Sequence, residues 1–250
     1  MKIAINHFSS LYINFIKGYG LFAEVDYKIY NAVNLEFPNE DEQNEFDGYL
    51  LTGSSANSYD NDNWIVKLRT HLQHLDKSDK KICGICFGHQ ALAHALGGQV
   101  TKSKLGWELG QVTVQLNNDG KKFINEMISL DKQTFLVDGA DLSTLTDVDS
   151  IQVLQIHQDI VQVVPNDFIV IGSTSLTQAQ GFVKKSPSNP SKYHILTFQG
   201  HPEFNVDYLT ELIKEEAPPE LIEPSIRSLT NNPDQMFMSK LAFNFFFRQK

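Results

Sequence analysis

Lys81-Ile-Cys-Gly-Ile-Cys-Phe-Gly-His-Gln90 sets a short apolar run against a helix-forming stretch, with Cys86 at the joint between Gly84 and Gly88. A nucleophile on a sharp strand-to-helix turn needs small neighbours two residues to either side, because the backbone folds back tightly and a side chain would collide. Such a turn does three things for a sulfur. It projects the atom at the carboxyl edge of a sheet, where open α/β folds bind ligands. It places the atom at a helix N-terminus, whose dipole favours thiolate. It also turns the Phe87 N–H towards any oxyanion formed there. With 15 Gly and 2 Cys among 250 residues, chance produces a Gly-x-Cys-x-Gly frame in roughly 0.7% of such chains, so the frame carries weight. Until a base is found, the plain alternative is a buried structural cysteine in a tight turn.

Outward from this segment, strand and helix patterns alternate. Residues 2–6 read as a short buried strand, followed by an amphipathic stretch with Leu11, Phe15 and Ile16 on one side. Residues 24–30 read as strand and 38–42 as an acidic loop. Residues 49–52 form a further strand that ends in the loop Gly53-Ser-Ser-Ala-Asn-Ser58. From Asn63, the residues Ile65, Leu68, Leu72 and Leu75 recur at helical spacing, and a second helix over 87–96 is stopped by Gly97-Gly98. The middle of the chain is strand-rich, with runs at 110–116, 151–156, 168–173 and 180–183. A last strand at 193–198 leads into a tail punctuated by Pro218-Pro219, in which Met238, Ala242 and Phe246 repeat every fourth residue. The expected fold is one α/β domain over residues 1–250. It has an open, mostly parallel sheet with helices on both faces, a strand-rich second half, and a helical C-terminal extension from about residue 205.

Composition narrows the function classes. Lys and Arg total 21 against 30 Asp and Glu, a net charge of −9, which argues against a nucleic-acid or acidic-membrane surface. The apolar stretch at 241–247 is interrupted by Asn244 and is far too short to span a bilayer. The N-terminus lacks a signal-type apolar region and already reads as strand. Two cysteines three positions apart make no secreted disulfide framework. A cytoplasmic protein is expected.

The candidate base lies far along the chain. The strand at 193–198 runs into Gly200-His-Pro-Glu203, where His201 and Glu203 are two residues apart and would share a face of an extended backbone. Pro202 biases His201 towards that geometry. A histidine there can take the thiol proton, with a carboxylate behind it to orient the imidazole and stabilise its cation. The chain has 8 histidines, so one alone says little. His89 and His94 read as packing or solvent-facing residues of their helix, and His71 and His74 as surface helix residues.

These segments resemble the class I glutamine amidotransferases, glutaminases with a Cys–His–Glu triad. The resemblance rests on Phe46-Asp-Gly-Tyr-Leu-Leu-Thr-Gly-Ser-Ser55, Gly84-Ile-Cys-Phe-Gly-His-Gln-Ala-Leu-Ala93 and Phe198-Gln-Gly-His-Pro-Glu-Phe204. It implies a flavodoxin-like glutaminase architecture with Cys86 as nucleophile, His201 as base and later acid, and Glu203 as its orienter. It further implies that the Gly53 N–H joins Phe87 in the oxyanion hole and that Gln90 contacts the bound glutamyl group. His157-Gln158-Asp159 matches a family loop beside the same pocket. Within the family the chain is most similar to the free-standing, GMP-synthase-like branch, which includes fungal amidotransferases and the plant gamma-glutamyl peptidases. The stretch Tyr59-Asp-Asn-Asp-Asn-Trp-Ile65 supports that placement.

The implied substrate is a small gamma-glutamyl compound, with no cofactor and no metal. No Gly-x-x-x-x-Gly-Lys-Ser/Thr nucleotide loop occurs, so any ammonia would go to a separate synthetase subunit; otherwise the chain simply hydrolyses the amide. Three rivals stand beside this reading. Cys83-Gly-Ile-Cys86 is formally a redox C-x-x-C, though the strand pattern leaves Cys83 inside a strand. Zinc lacks a second Cys or His pair. A catalytically silent, partner-binding relative is the remaining alternative.

Overall fold

The computed structural model describes residues 1–5, 10–18, 24–137, 140–141, 148–230 and 233–249. In chain order its elements are β1 (Lys2–Ile5), α1 (Ser10–Ile16), β2 (Asp26–Ile29), α2 (Glu40–Gln43), β3 (Gly48–Leu51), α3 (Asn63–Lys77) and β4 (Ile82–Ile85). There follow α4 (Phe87–Ala95), β5 (Gln99–Lys102), β6 (Glu108–Leu116), α5 (Asn118–Leu130), β7 (Leu136–Val137), β8 (Ala140–Asp141) and β9 (Ser150–His157). The chain continues through β10 (Asp159–Val163), β11 (Phe168–Ser173), β12 (Gly181–Lys185), β13 (Tyr193–Phe198), α6 (Val206–Glu216), α7 (Pro219–Ser228) and α8 (Gln235–Phe247).

Strands β3, β4 and β13 are buried along their whole length, which is why they read as unbroken apolar runs rather than alternating ones. Their side chains still alternate between two cores. Tyr49, Leu51, Ile82 and Ile195 pack with Leu68, Leu72 and Leu75 of α3 and with Phe87 and Leu92 of α4. Leu50, Cys83, Ile85 and Leu196 face the other way, towards Phe15 of α1, Phe123 of α5 and Phe243 of α8. One sheet thus separates two helical layers.

That sheet has the order β2-β1-β3-β4-β13-β12-β11-β6-β9. The first five strands are parallel to their neighbours, and from β13 onward each pairing is antiparallel. Since antiparallel partners alternate in direction, β11 and β9 regain the direction of the parallel half. Seven of the nine strands therefore point one way, in keeping with the mostly parallel sheet expected.

Two elements depart from the sequence reading. The acidic loop contains a one-turn helix, α2, closed by a capping box between Asn39 and Glu42. Helix α5 lies between two of the expected strands, in a stretch to which no element was assigned; Asn117 caps it, and Phe123, Ile124, Met127 and Ile128 form its buried stripe. Helix α8 is no peripheral appendage. Its Met238, Leu241, Phe243, Phe245 and Phe246 are buried in the core shared with α1 and α5.

Helix α4 lies against β3 and β4 closely enough to explain the glycine frame. A Cβ on Gly88 would sit 2.6 Å from the Leu51 carbonyl oxygen, and one on Gly84 would sit 2.7 Å from the Gly88 carbonyl. Both obstacles are backbone, which cannot rotate away. Gly88→Ala should therefore cost about 1–3 kcal/mol by overpacking. The melting temperature should fall by roughly 2–4 °C per kcal/mol. A thermal melt unchanged from wild type would show that α4 can lift off the sheet without penalty.

Candidate active site

Three neighbouring strand ends deliver the predicted groups to one edge. Strands β3, β4 and β13 run parallel in register, with Leu51 opposite Gly84 and Phe198 opposite Ile85. Gly53 follows β3 by two residues, Cys86 follows β4 directly, and His201 follows β13 by three. This is the carboxyl edge where open α/β sheets gather ligands.

Cys86 is the N-cap of α4, with φ 51° and ψ −105°. A positive φ in a residue with a side chain is a strained conformation that the surroundings must enforce. Here the Cys86 N–H donates to the Phe198 carbonyl at 2.8 Å, which carries the β4–β13 ladder one residue past the strand. The residue is only 8% exposed, yet it lines the cavity at this edge. Cys83 is wholly buried within β4, and burial pushes its thiol pKa up, with Glu203 adding to the rise. Neither cysteine is in a disulfide. This arrangement leaves Cys83 unsuited to attack and weighs against the redox reading.

His201 and Glu203 meet, but by a turn rather than along an extended backbone. The Phe204 N–H closes back on the His201 carbonyl at 3.3 Å, and the His201 N–H is anchored on the Leu154 carbonyl at 2.8 Å. Within this turn His201 Nδ1 lies 2.7 Å from Glu203 Oε1. The imidazole also stacks on Phe204, with centroids 3.9 Å apart and planes 8° from parallel. Burial alone would lower the histidine pKa. Glu203 first, and Cys86 with it, outweigh that effect and raise it to about 10. The ring is therefore cationic at neutral pH. Its Nε2 is buried without a hydrogen bond of good geometry, a proton donor awaiting an acceptor.

The loop after β3 holds a finding that the sequence did not show. The Gly53 N–H, expected to face an oxyanion, donates to the Tyr12 hydroxyl at 2.7 Å. Burial, aided by the nearby Glu203 carboxylate, keeps Tyr12 a neutral phenol. Gly53 itself touches the centre closely: a Cβ there would lie 3.1 Å from His201 Cε1 and 3.7 Å from Cys86 Cβ. Ser54, the next residue, lines the cavity with Cys86.

That cavity has a volume of about 190 Å³, and Gln90, His157 and Gln158 all line it. Gln90 Nε2 donates to the Asp159 carbonyl at 2.9 Å and to Gln199 Oε1 at 3.2 Å. His157 bridges the same Asp159 carbonyl through Nδ1 and Glu108 Oε2 through Nε2, both at 3.0 Å. Burial would raise the Glu108 pKa, but bonds from His157 and Thr174 lower it below the ordinary glutamate value.

Sequence reasoning passed over Tyr12, Glu108 and the ring of Phe204. Tyr12 sits on an apolar helix face, and Phe204 looks like one more core residue. Glu108, an acid at the head of an apolar strand, was the one visible signal. His71, read as a surface residue, is instead packed on Phe37 and lowered to about 4 by burial, with His74 contributing. His89 is buried too, bonded to Thr197 Oγ1 at 2.8 Å. Among the described residues no three His, Cys, Asp or Glu side chains gather as metal ligands. No helix among them is long and apolar enough to cross a membrane.

Two outcomes test this geometry. Cys86→Gly removes a strained side-chain-bearing residue from φ 51°, whereas Cys86→Ala keeps the strain. The glycine variant should be the more stable by about 1–3 kcal/mol; a less stable glycine variant would mean that the turn is unstrained. The second outcome concerns pH. An unfolded histidine titrates near about 6.5, and His201 in the fold near about 10. Below about pH 6.5 both states hold the proton and the stabilisation is complete. Between there and about 10 the unfolded chain releases its proton first, so stability falls as pH rises. Glu203→Gln removes the largest raising influence and should flatten that fall, read as the wild-type minus variant melting temperature from pH 6.5 to 10. A constant difference across that window would refute the pairing.

A family model, Glutamine amidotransferase class-I, matches residues 10–216. Gamma-glutamyl peptidase 4 of Arabidopsis thaliana is 28% identical over 228 residues, covering 88% of this chain and 81% of that protein. Gamma-glutamyl peptidase 3 of the same plant is 25% identical over 223 residues, covering 87% and 81%. The crystal structure of a glutamine amidotransferase from Thermotoga maritima shares the fold, with a TM-score of 0.67 at 20% identity over 98% of this chain and 97% of that one. With its motifs at three adjacent strand ends and the family model spanning most of its length, the chain belongs to the class I glutamine amidotransferase family.

Proposed function

We propose that this chain hydrolyses gamma-glutamyl amide bonds, in glutamine or gamma-glutamyl peptides, through a glutamyl thioester on Cys86. The observation that carries the reading is the His201–Glu203 pair at 2.7 Å beside the strained cysteine. Its other support is the pair of similar proteins named as gamma-glutamyl peptidases.

The steps balance with this chain's own groups and water. The Cys86 sulfur attacks the gamma-carbonyl carbon with the proton held on His201, and the carbonyl electrons move onto oxygen. The Phe87 N–H, in the first turn of α4, is the donor assigned to that oxyanion; the Gly53 N–H, which donates to Tyr12, serves only if Tyr12 releases it. As the C–N bond breaks, His201 Nε2 gives its proton to the departing amine, leaving a thioester and a neutral imidazole. The imidazole next takes a proton from water, whose oxygen attacks the thioester. The C–S bond breaks, glutamate leaves, and the cationic imidazole and free sulfur are restored. Glu203 holds the tautomer throughout, while Gln90, His157 and Gln158 form the glutamyl side of the cavity.

A glutamine-analogue alkylator should label Cys86, with Cys86→Ser inert and Cys83→Ala still active. Labelling confined to Cys83 would defeat the assignment. His201→Ala should lose orders of magnitude in kcat, while Glu203→Gln retains part, since an unassisted imidazole still reaches productive poses. The chain alone should cleave glutathione and glutamine, compared by kcat/KM. Silence on every gamma-glutamyl compound until a second subunit is added would instead make the chain the glutaminase half of an ammonia-delivering pair.

A further inference from the structure

We propose that Trp107 marks the entrance to a leaving-group subsite, a second cavity that receives the dipeptide-sized amine released from a gamma-glutamyl peptide. The inference rests on the gamma-glutamyl reading above and adds where the other half of the substrate lies. The catalytic cavity, at about 190 Å³, is below the roughly 300–1,000 Å³ typical of small-ligand sites. It suits the glutamyl end alone. A neighbouring cavity of about 380 Å³ is lined by Glu108, Thr113, Ser175, Leu221 and Ser225, and Trp107 lines both cavities.

The direction in which the amine departs follows from the acid that protonates it. His201 stacks on Phe204, and Phe204 belongs to a small apolar cluster with Leu154 and Ile156, against which Trp107 packs. Ile156 and Trp107 are also the apolar wall of the catalytic cavity. His201 is thereby joined through Phe204 to the cluster on which Trp107 packs, and we take the amine to leave on that side. The ground beneath the tryptophan is firm. Glu108, the next residue, is buried and held by Thr174 Oγ1 at 2.6 Å, by His157, and by the Gln180 side-chain amide.

The chemistry of the second cavity matches a peptide rather than an ion. Its lining mixes hydroxyls, among them Thr113, Ser175 and Ser225, with apolar residues such as Leu221; its one charged residue is Glu108, already bonded to His157 and Thr174. Hydroxyls serve both as donors and as acceptors, which is what an amide backbone requires. The indole offers a flat apolar body to the first residue of the leaving group. Ammonia, the leaving group of glutamine, would use none of this. Trp107 is thus a specificity-determining residue that separates a long substrate from a short one.

Binding to a Cys86→Ala protein tests the subsite without turnover. Calorimetric titration with glutathione and with glutamine gives the ratio of their affinities. Trp107→Ala should lower that ratio at least five-fold, and so should Ser175→Trp, which fills the second cavity from an exposed loop. A smaller change in the ratio, or glutathione binding no tighter than glutamine before any change, overturns the subsite. Should the Trp107 variant fail to fold, Ser175→Trp decides alone. Turnover by the wild-type chain is scored separately. A chain that binds glutathione across Trp107 but cleaves nothing fails only the hydrolase reading, and one that cleaves with an unaltered ratio fails only this inference.

Discussion

The hydrogen bond from the Cys86 N–H to the Phe198 carbonyl, 2.8 Å long, ties the two halves of the site together. It extends the parallel ladder between β4 and β13 beyond the point where β4 ends as a strand. Without it the chain after Ile85 could relax from its positive φ, and the sulfur would leave the sheet edge. With it, Cys86 and the turn bearing His201 hang from the same pair of strands. Their separation is then set by sheet register, which is stiff because a one-residue slip would turn every buried side chain to the wrong face.

The electrostatics build on that mechanical frame. A buried imidazolium is costly in isolation. Here Glu203 neutralises it at 2.7 Å, and Phe204 covers its face. Burial therefore sharpens the coupling between His201, Glu203 and Cys86 instead of discharging the ring. Tyr12 adds a restraint of another kind. By accepting from the Gly53 N–H, a phenol that stays neutral fixes the loop after β3 while taking one donor out of play.

What the sequence disclosed and what it hid divide along the same physical line. Gly84, Cys86 and Gly88 were legible because a tight turn constrains residues that are close in sequence. His201 and Glu203 were legible from their spacing, although the reason inferred was an extended strand and the structure uses a turn. Helix α5 was missed because Gly120 and polar residues dilute its stripe, and its capping residue Asn117 follows a strand without pause. Tyr12, Phe204 and Glu108 act only on groups brought to them by folding. Tyr12 reaches Gly53 across 41 residues, and Glu108 reaches His157 across 49. No local pattern announces such partners.

The antiparallel half of the sheet gives this edge something that an all-parallel sheet could not. In a parallel sheet only strand ends reach the carboxyl edge. Strand β6 runs against that direction, so it begins there, with Glu108 in register opposite His157 at the end of β9. A strand's beginning carries a different loop behind it, and that loop supplies Trp107. The parallel strands therefore bring Cys86, His201 and the Gly53 loop. The antiparallel strands bring His157 and Trp107, which line the cavity beside Cys86. The two walls of the cavity are seated on different halves of one sheet. Substitutions in the β5–β6 loop can then reshape the cavity wall at Trp107 without disturbing the register that holds Cys86 beside the His201 turn.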